Sequence, residues 1–169
     1  MATSAIDYTA TGTAITCTQA ALGIDGYRES AGVTNAVNKY LSVTVGGSTQ
    51  VGVVTVAGSL KIYAYASNDG GTIYSGGLIG TDETITWGTT PASSSLAGFK
   101  NIFLIGIVAV ALDDDDNDIE WGPFTLETPF GGTVPEDWGI VLKNETDIAL
   151  HATGTNNALH YSGHKATSV

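Results

Sequence analysis

Short runs in which apolar and polar residues alternate dominate the sequence from Lys39 onward. Leu41, Val43 and Val45 alternate with polar neighbours, and residues 60–66 repeat the pattern. A period of two is typical of β-strands, because successive side chains point to opposite faces of a sheet. No segment of ten residues has the periodicity of an amphipathic helix. The pattern predicts an all-β protein with about eight or nine strands.

Turn-forming residues separate these runs at short intervals. Asn68-Asp69-Gly70-Gly71 is the strongest turn signal, since Asn, Asp and Gly tolerate positive φ. Gly46-Gly47 is expected to end the strand that contains Val45. Strands at this spacing predict a single-domain antiparallel β-sandwich, jelly-roll-like in topology.

The first 37 residues carry a weaker pattern than the rest of the chain. Alternation between Thr9 and Cys17 is compatible with one strand, whereas residues 22–38 mix glycines with Arg28 and Glu29. We therefore expect residues 1–37 to form an extended N-terminal arm that mediates assembly. The β-sandwich domain is expected over residues 38–169.

Three later segments give more specific structural predictions. Residues 99–112 are apolar at both alternating sets of positions, which indicates a central strand or a buried segment. Pro123 places the strand that contains it at an edge or a bulge. Trp138, Ile140 and Leu142 share one face of a strand by period two and are expected to form a buried row.

Composition excludes several classes of protein and leaves two descriptions of the surface open. The chain of 169 residues has a net charge of −11 and only 6 basic side chains, which argues against a nucleic-acid-binding role. Charged residues make up 14%, against roughly 25% in ordinary domains. Such a surface is typical either of a protein covered by neighbouring subunits or of a free extracellular β-domain rich in Thr and Ser.

Targeting signals are not visible in the sequence. The first residues lack the basic and apolar regions of a signal peptide, and the apolar run over residues 102–112 is too short for a membrane-spanning helix. We expect the protein to be synthesised in the cytoplasm and not to associate with a membrane.

Two clusters are candidates for a metal site, and neither has the required pattern. The acidic run from Asp113 to Asp118 lacks the Gly and Glu of an EF-hand loop, so it is interpreted as a solvated hairpin tip. His160 and His164 would lie about 13 Å apart on a strand, which is too far for one zinc ion. The sequence therefore predicts no metal site, although a cation at the acidic run stays open.

No catalytic constellation is apparent. There is no G-x-S-x-G motif, and Cys17 is expected to be a small buried or partly buried thiol. Carboxylate pairs can be drawn among Glu120, Glu127 and Glu136, but any acidic chain offers such pairs. No phosphate-binding loop or dinucleotide fingerprint is present. We expect neither enzymatic activity nor a cofactor.

Aromatic side chains provide the candidate interface. If Ile62 faces the core, Tyr63 and Tyr65 point outward, and an outward aromatic pair marks a ligand face or a subunit contact. Tyr27 and Arg28 are the corresponding candidates in the N-terminal arm. Glycan binding through the tyrosines is the alternative to a protein contact.

Four segments resemble small structural proteins of tailed-bacteriophage virions. They are residues 62–67, the motif Trp121-Gly122-Pro123-Phe124, residues 130–144 with the motif Pro135-Glu136-Asp137-Trp138-Gly139, and residues 149–154. The resemblance covers about residues 38–163. It implies a virion component, namely a head decoration (cement) protein, and it carries over no catalytic residue.

This resemblance also sets the expected partners. A decoration protein bridges neighbouring subunits of the major capsid protein on the head surface, and a homotrimer suits the threefold positions of a capsid. The alternative is a phage tail or receptor-binding domain, or a carbohydrate-binding β-domain.

Overall fold

The computed structural model describes residues 4–51, 56–67, 69–72, 74, 78–85, 102–112, 118–153 and 156–168. These residues form ten strands and one 3₁₀ turn at Thr128–Phe130, with no α-helix among them. The strands are β1 (Ser4–Ala14), β2 (Tyr27–Glu29), β3 (Val33–Thr34), β4 (Ser42–Gln50), β5 (Val56–Ser67), β6 (Glu83–Ile85), β7 (Phe103–Leu112), β8 (Asp118–Thr125), β9 (Asp137–Thr146) and β10 (Ala158–Ser168).

Two antiparallel sheets pack face to face and form a β-sandwich, which confirms the predicted fold class. Sheet A has the strand order β1-β10-β4-β8. Sheet B has the order β6-β2-β9-β5-β7, and β3 adds to it by pairing with β9. Within the part of the chain that the structure describes, no helix is long and apolar enough to cross a membrane.

The core between the sheets is built from the inward faces of the longest strands. Val43 and Val45 come from sheet A, and Leu60 and Ile62 come from sheet B. The predicted row of Trp138, Ile140 and Leu142 is buried and belongs to the same cluster. The row is therefore confirmed, and the other buried members of the cluster include Leu126, Leu150, Leu159 and Tyr161.

The expected N-terminal arm is not a separate segment, and this expectation is corrected. β1 pairs with β10 at the edge of sheet A, and β2 pairs with both β6 and β9 in sheet B. Ile15 and Leu22 are buried in the core between the sheets. Residues 4–37 therefore contribute to both sheets and to the core, instead of extending from a domain that begins at residue 38.

Buried polar side chains tie this N-terminal region to sheet A. The side-chain amide of Gln19 donates to the main-chain oxygens of Ser48 (3.3 Å) and Ala158 (3.2 Å). Its oxygen accepts a hydrogen bond of 2.5 Å from the Thr49 hydroxyl, which in turn accepts one of 3.1 Å from the indole nitrogen of Trp121. Gln19 is thus satisfied inside the protein, as a buried polar group must be.

Two further expectations are wrong in detail. The apolar pattern over residues 99–112 predicts a central strand or a buried segment. The strand within it, β7, is instead an edge strand of sheet B, and its residues Leu104 and Ile107 are exposed. Gly46-Gly47 does not end a strand, because β4 continues to Gln50 and pairs with both neighbours across these glycines.

The prediction for Pro123 is confirmed. Its strand β8 lies at the edge of sheet A, and its pairing with β4 shifts register between Val45 and Gly47. A proline at this edge removes no hydrogen bond from the centre of the sheet.

Candidate binding surfaces

The two tyrosines of β5 point away from the core between the sheets, as their alternation with Ile62 predicted. They do not form an outward pair, however, because Tyr65 is completely buried and Tyr63 is half-buried. A second apolar cluster covers this end of sheet B and contains Tyr65, Tyr74, Leu78, Ile85 and Val141. Tyr65 is therefore a structural residue and not part of an exposed surface.

The ring of Tyr65 fits closely between its neighbours. It lies against Gly139, where an added Cβ would come within 2.2 Å of the tyrosine hydroxyl oxygen. It also makes an edge-to-face contact with Tyr74 at 5.2 Å between ring centroids. Burial raises the pKa of Tyr65 far above its usual range, so the phenol stays neutral.

Tyr63 belongs to an exposed surface, which we call the sheet B patch. Tyr63 pairs with Leu104 of the edge strand β7, and the next outward pair along the strands is Lys61 with Ile107. Lys61 also pairs with Lys143, which pairs with Tyr27. The patch thus contains Tyr27, Lys61, Tyr63, Leu104, Ile107 and Lys143.

Apolar exposure on this patch is substantial. Leu104 and Ile107 of β7 are 48% and 57% exposed. The pairing of β7 with β5 shifts register at Ile105, so these two residues share the outer face although they are three positions apart. The ammonium group of Lys143 lies 5.1 Å from the ring centroid of Tyr27, which is cation–π geometry. The sheet B patch therefore brings together two of the predicted interface residues, Tyr27 and Tyr63, beside exposed aliphatic side chains.

The charges at this patch are balanced locally. Glu145 binds both lysines: its Oε2 lies 2.7 Å from Lys61 Nζ, and its Oε1 accepts from Lys143. The hydrogen bonds from Lys143 and Lys61 hold the pKa of the Glu145 carboxyl below its usual range. Both lysines are therefore oriented along the strand face, and a partner would meet a pre-arranged ion-pair row and not free charges.

Arg28, the remaining predicted interface residue, is engaged inside the protein. Its Nε lies 2.6 Å from Asp82 Oδ1, and its other nitrogens donate to the Asp82 main-chain oxygen (2.9 Å) and the Thr84 hydroxyl (3.0 Å). The guanidinium holds residues 82–84 against β2. The structure therefore gives Arg28 a structural role and does not place it in the sheet B patch.

A polar groove of about 530 Å³ lies on the opposite side of the molecule, on sheet A. An added Cβ at Gly46 would lie 3.4 Å from His160 Nε2, so the absence of a side chain there keeps the space in front of the imidazole open. The groove is lined by Thr44, Gly46, Gly47, Ser48, Glu120, Trp121, Gly122, Pro123, His160 and Ser162. No sequence pattern indicates this groove, because its residues come from three strands that are far apart in the chain.

A smaller, more apolar cleft of about 390 Å³ separates the edge strands β7 and β8. Leu104, Ile105 and Phe124 line it together with Pro123 and Pro129. The ring of Phe124 packs where Gly106 has no side chain, since an added Cβ would lie 2.4 Å from it. Leu104 lines this cleft and also belongs to the sheet B patch, so the two surfaces are continuous.

The residues considered for metal binding do not form a described metal site. Among the described residues, no three His, Cys, Asp or Glu side chains are grouped so that they could hold a metal ion. Residues 113–117 of the acidic run lie outside the described part of the chain. Asp118, the last residue of the run, accepts a hydrogen bond from Asn156.

Cys17 and Glu127, which were considered as a nucleophile and an acid, have structural roles. Cys17 packs against the core as a partly buried thiol, as expected, and burial raises its pKa to about 12. Glu127 accepts hydrogen bonds from the Ser42 hydroxyl (2.7 Å) and the Val43 amide (3.1 Å), which fix the start of β4.

Comparison with known proteins finds no matching family model, no matching curated protein and no matching solved structure.

Proposed function

We propose that this protein is a structural component of a tailed-bacteriophage virion, a head decoration protein that stabilises the capsid by bridging its subunits. The sheet B patch is the surface through which it docks. The partners are the major capsid protein and further copies of this chain, arranged as a homotrimer on the head surface. The protein is synthesised in the host cytoplasm and acts through interface area, without enzymatic turnover.

The exposed aliphatic pair on the sheet B patch is the observation that carries this proposal. Leu104 and Ile107 are about half exposed on the edge strand β7, beside the half-buried rings of Tyr27 and Tyr63. Interface centres are enriched in aromatic side chains and depleted in free charge. The lysines at this patch are already paired with Glu145, so docking there would not bury an unpaired charge.

The order of the strands supports the jelly-roll part of this proposal. When the short strands β3 and β6 are set aside, sheet A contains β1, β4, β8 and β10 and sheet B contains β2, β5, β7 and β9. The chain changes sheets at every connection except the β5 to β7 connection. The strand pairs are nested along the chain: β5 pairs with β7, β4 with β8, β2 with β9 and β1 with β10. Eight strands in two such sheets form a jelly roll, an architecture common in viral capsid and lectin domains.

The first experiment measures copy number. Purified virions of the encoding phage are analysed by gel densitometry against the major capsid protein. A decoration protein is expected in hundreds of copies per particle, whereas a handful of copies would assign the protein to the tail and overturn the head location.

The second experiment tests the docking surface with matched variants. The double variant Leu104→Ser, Ile107→Ser is expected to bind particles lacking the protein at least about tenfold more weakly, because each side chain loses apolar area that docking would bury. The control is Leu41→Ser, Ile6→Ser, which changes the same residue types at exposed positions outside the patch. Equal weakening by both double variants, or by neither, would contradict docking through the patch.

The groove on sheet A favours a second candidate function, glycan binding by a tail or receptor-binding domain. Its hydroxyls, the exposed Glu120 and the half-buried His160 are groups that hydrogen bond to sugar hydroxyls, around an opening that Gly46 leaves free. The tyrosine platform expected from the sequence does not support this function, because Tyr65 is buried.

Glycan binding predicts a measurable effect of two groove variants. Gly46→Val would fill the groove, and Glu120→Gln would remove a charged acceptor at its wall. Both are expected to reduce binding to surface glycans of the host cell, measured by calorimetry or on a glycan array. Wild-type protein that binds no host glycan would exclude this candidate.

A further inference from the structure

Glu29 is a buried acid that neither proposed function uses. It lies in β2 and is only 1% exposed. Its Oε1 accepts hydrogen bonds from the main-chain amides of Ile79 (3.0 Å) and Gly80 (2.6 Å). Through these bonds the carboxyl group holds the segment over residues 78–82, which we call the cover segment, against sheet B.

The cover segment encloses Tyr65. Leu78 packs in the same apolar cluster as Tyr65 and Tyr74, and the main-chain oxygen of Gly80 accepts a hydrogen bond of 2.8 Å from the Gly32 amide. An added Cβ at Gly80 would come within 2.4 Å of the Tyr74 ring. The segment thus fits tightly over the tyrosine pair, and the Glu29 carboxyl lies beneath it.

The second oxygen of Glu29 shows which protonation state this site fits. Oε2 is buried and has no hydrogen-bond partner among the described residues. The neighbouring polar group is the Tyr65 hydroxyl, whose single proton is donated to the Ser30 main-chain oxygen at 2.8 Å. A carboxylate oxygen would therefore face an oxygen with no proton to offer. A protonated Oε2 could instead donate to the lone pairs of the Tyr65 oxygen.

The other titratable groups around Glu29 also favour its neutral form. Burial is the main cause that raises the pKa of Glu29, to about 7, and the negative charge of Glu83 on β6 adds to it. The hydrogen bonds from the Gly80 and Ile79 amides act in the opposite direction and do not offset burial. Tyr65 and Tyr74 are neutral phenols, since burial raises the pKa of both.

Arg28, the residue next to Glu29 in β2, does not neutralise the Glu29 carboxylate. Arg28 points to Asp82 and is bound to its carboxylate and main-chain oxygen. β9 contributes the apolar Val141 opposite Glu29. The polar groups described around the carboxyl group are thus the amides of Ile79 and Gly80, the phenols of Tyr65 and Tyr74, and the carboxyl group of Glu83.

We propose that Glu29 is a proton-controlled latch: as the neutral acid it holds the cover segment over Tyr65, and loss of its proton to solvent releases that segment. Ionisation places a negative charge on a buried oxygen without a donor, and the protein relieves this by opening residues 78–82 and admitting water. The opened state exposes Tyr65 at the end of the strand that carries Tyr63, so the outer face of sheet B changes with pH.

The direction of the pH dependence follows from the protonation states. A Glu carboxyl in an unfolded chain titrates near pH 4.3, so between that pH and about 7 the folded protein binds the extra proton. Folding stability from this group is therefore fully present at low pH and declines as the pH rises to about 7. The unfolding equilibrium constant is expected to rise on the order of a hundredfold across this interval.

Glu29→Gln tests the latch with an uncharged side chain of the same shape. The amide oxygen can accept from Ile79 and Gly80, and the amide nitrogen can donate to the Tyr65 oxygen. We expect the variant to lose the decline in stability between pH 5 and 8, measured by urea unfolding. Hydrogen exchange of the Ile79 and Gly80 amides, corrected for intrinsic rates, is expected to accelerate with pH in the wild type and not in the variant.

The matched control is Glu83→Gln, which removes a nearby negative charge without touching the cover segment. It is expected to retain the decline, which would end at slightly lower pH because the charge of Glu83 raises the pKa of Glu29. A decline in stability that persists unchanged in Glu29→Gln would overturn the proposal. If that variant does not fold, a carbon-detected NMR titration of the wild-type Glu29 carboxyl decides, since a midpoint in the ordinary Glu range would also overturn it.

Discussion

The side-chain amide of Asn144 donates a hydrogen bond of 3.0 Å to the main-chain oxygen of Leu22, although 122 residues separate the two in the chain. The same nitrogen donates to the oxygens of Gly23 (3.3 Å) and Ile148 (2.8 Å). The amide oxygen accepts from the backbone (3.0 Å) and the hydroxyl (2.6 Å) of Thr146. One buried side chain of β9 thus fixes the N-terminal loop and the turn that follows β9.

Asn144→Ala is therefore expected to be strongly destabilising. The substitution removes the hydrogen bonds that Asn144 donates to three carbonyl groups, although each of these keeps another donor, and it removes the acceptor of the Thr146 amide. Each lost hydrogen bond is worth about 0.5–1.5 kcal/mol. We expect a loss of about 3 kcal/mol in the free energy of unfolding, measured with urea. The control Asn156→Ala removes an exposed hydrogen bond to Asp118 and is expected to cost below about 1 kcal/mol. Similar losses for both would show that the Asn144 network contributes little.

Trp138→Ala is expected to lower the free energy of unfolding by about 3–5 kcal/mol, the usual range for truncating a buried large aromatic side chain. Trp138 is completely buried and makes an edge-to-face contact with Tyr161 at 5.4 Å between ring centroids. Trp138→Phe keeps a ring in this place and removes an indole N–H that finds no acceptor among the described residues. We therefore expect the Phe variant to retain most of the stability, and an Ala variant with an unchanged melting temperature would contradict the assignment to the core.

Gly139→Ala tests the close packing of Tyr65. The new Cβ would lie 2.2 Å from the Tyr65 hydroxyl oxygen, so the ring must move and lose its bond to Ser30. We expect a loss of about 1–3 kcal/mol, the usual cost of overpacking. Gly23→Ala is the matched control, because an added Cβ there meets no atom within 4 Å. A melting temperature lowered equally in both variants would point to backbone effects and not to Tyr65.

Asp82 is expected to control stability at acidic pH. Burial acts to raise the pKa of its carboxyl, but hydrogen bonds from Arg28 (2.6 Å) and from the hydroxyl (2.6 Å) and amide (2.8 Å) of Thr18 outweigh it and hold the pKa below its usual range. The folded protein therefore releases this proton more readily than the unfolded chain. The stabilisation is present above the ordinary Asp range and is lost as the pH falls through the lowered folded-state pKa.

Asp82→Asn should remove this part of the acid sensitivity. We expect a loss of about 1.5–3 kcal/mol at pH 6, since hydrogen bonds to a charged group are replaced, and a smaller difference from the wild type at about pH 2.5. Urea unfolding at both pH values measures it. Glu136→Gln, at an exposed position, serves as the control. A deficit of equal size at both pH values would show that the charge of Asp82 does not matter.

The alternation of apolar and polar residues allowed the β-sandwich and the buried row of Trp138, Ile140 and Leu142 to be predicted. Both depend on the two-residue period of side chains along a strand. It could not reveal that a second layer covers Tyr65, because the alternation around Ile85 indicates a strand without showing what that strand packs on, and Leu78 lies outside any alternating run. The edge position of β7 was missed for a related reason. A strand with two apolar faces is normally predicted to lie in the centre of a sheet. In β7, however, Leu104 and Ile107 are exposed on the outer face.

The burial of the N-terminal region could not be predicted from its own sequence. The main-chain oxygen of Leu22 is bound by Asn144 of β9 and by the Leu150 amide, and Gln19 is satisfied by groups of β4 and β10. These are contacts between distant parts of the chain and leave no periodic signal. The sheet A groove was missed likewise, since His160 and Glu120 meet only through their common neighbour β4.

The pairing of β1 with β10 determines when this protein can complete its fold. Ser4 is aligned with Ser168, so the edge of sheet A that β1 forms is completed only after β10 has left the ribosome. β4 likewise waits for β8 and β10, its two partners in sheet A. Contacts between such distant residues make folding slow, because the entropy of closing large loops is lost before the contacts form. During synthesis, β1 therefore remains without its sheet partner until β10 emerges, and until then β4 can pair in sheet A only with β8.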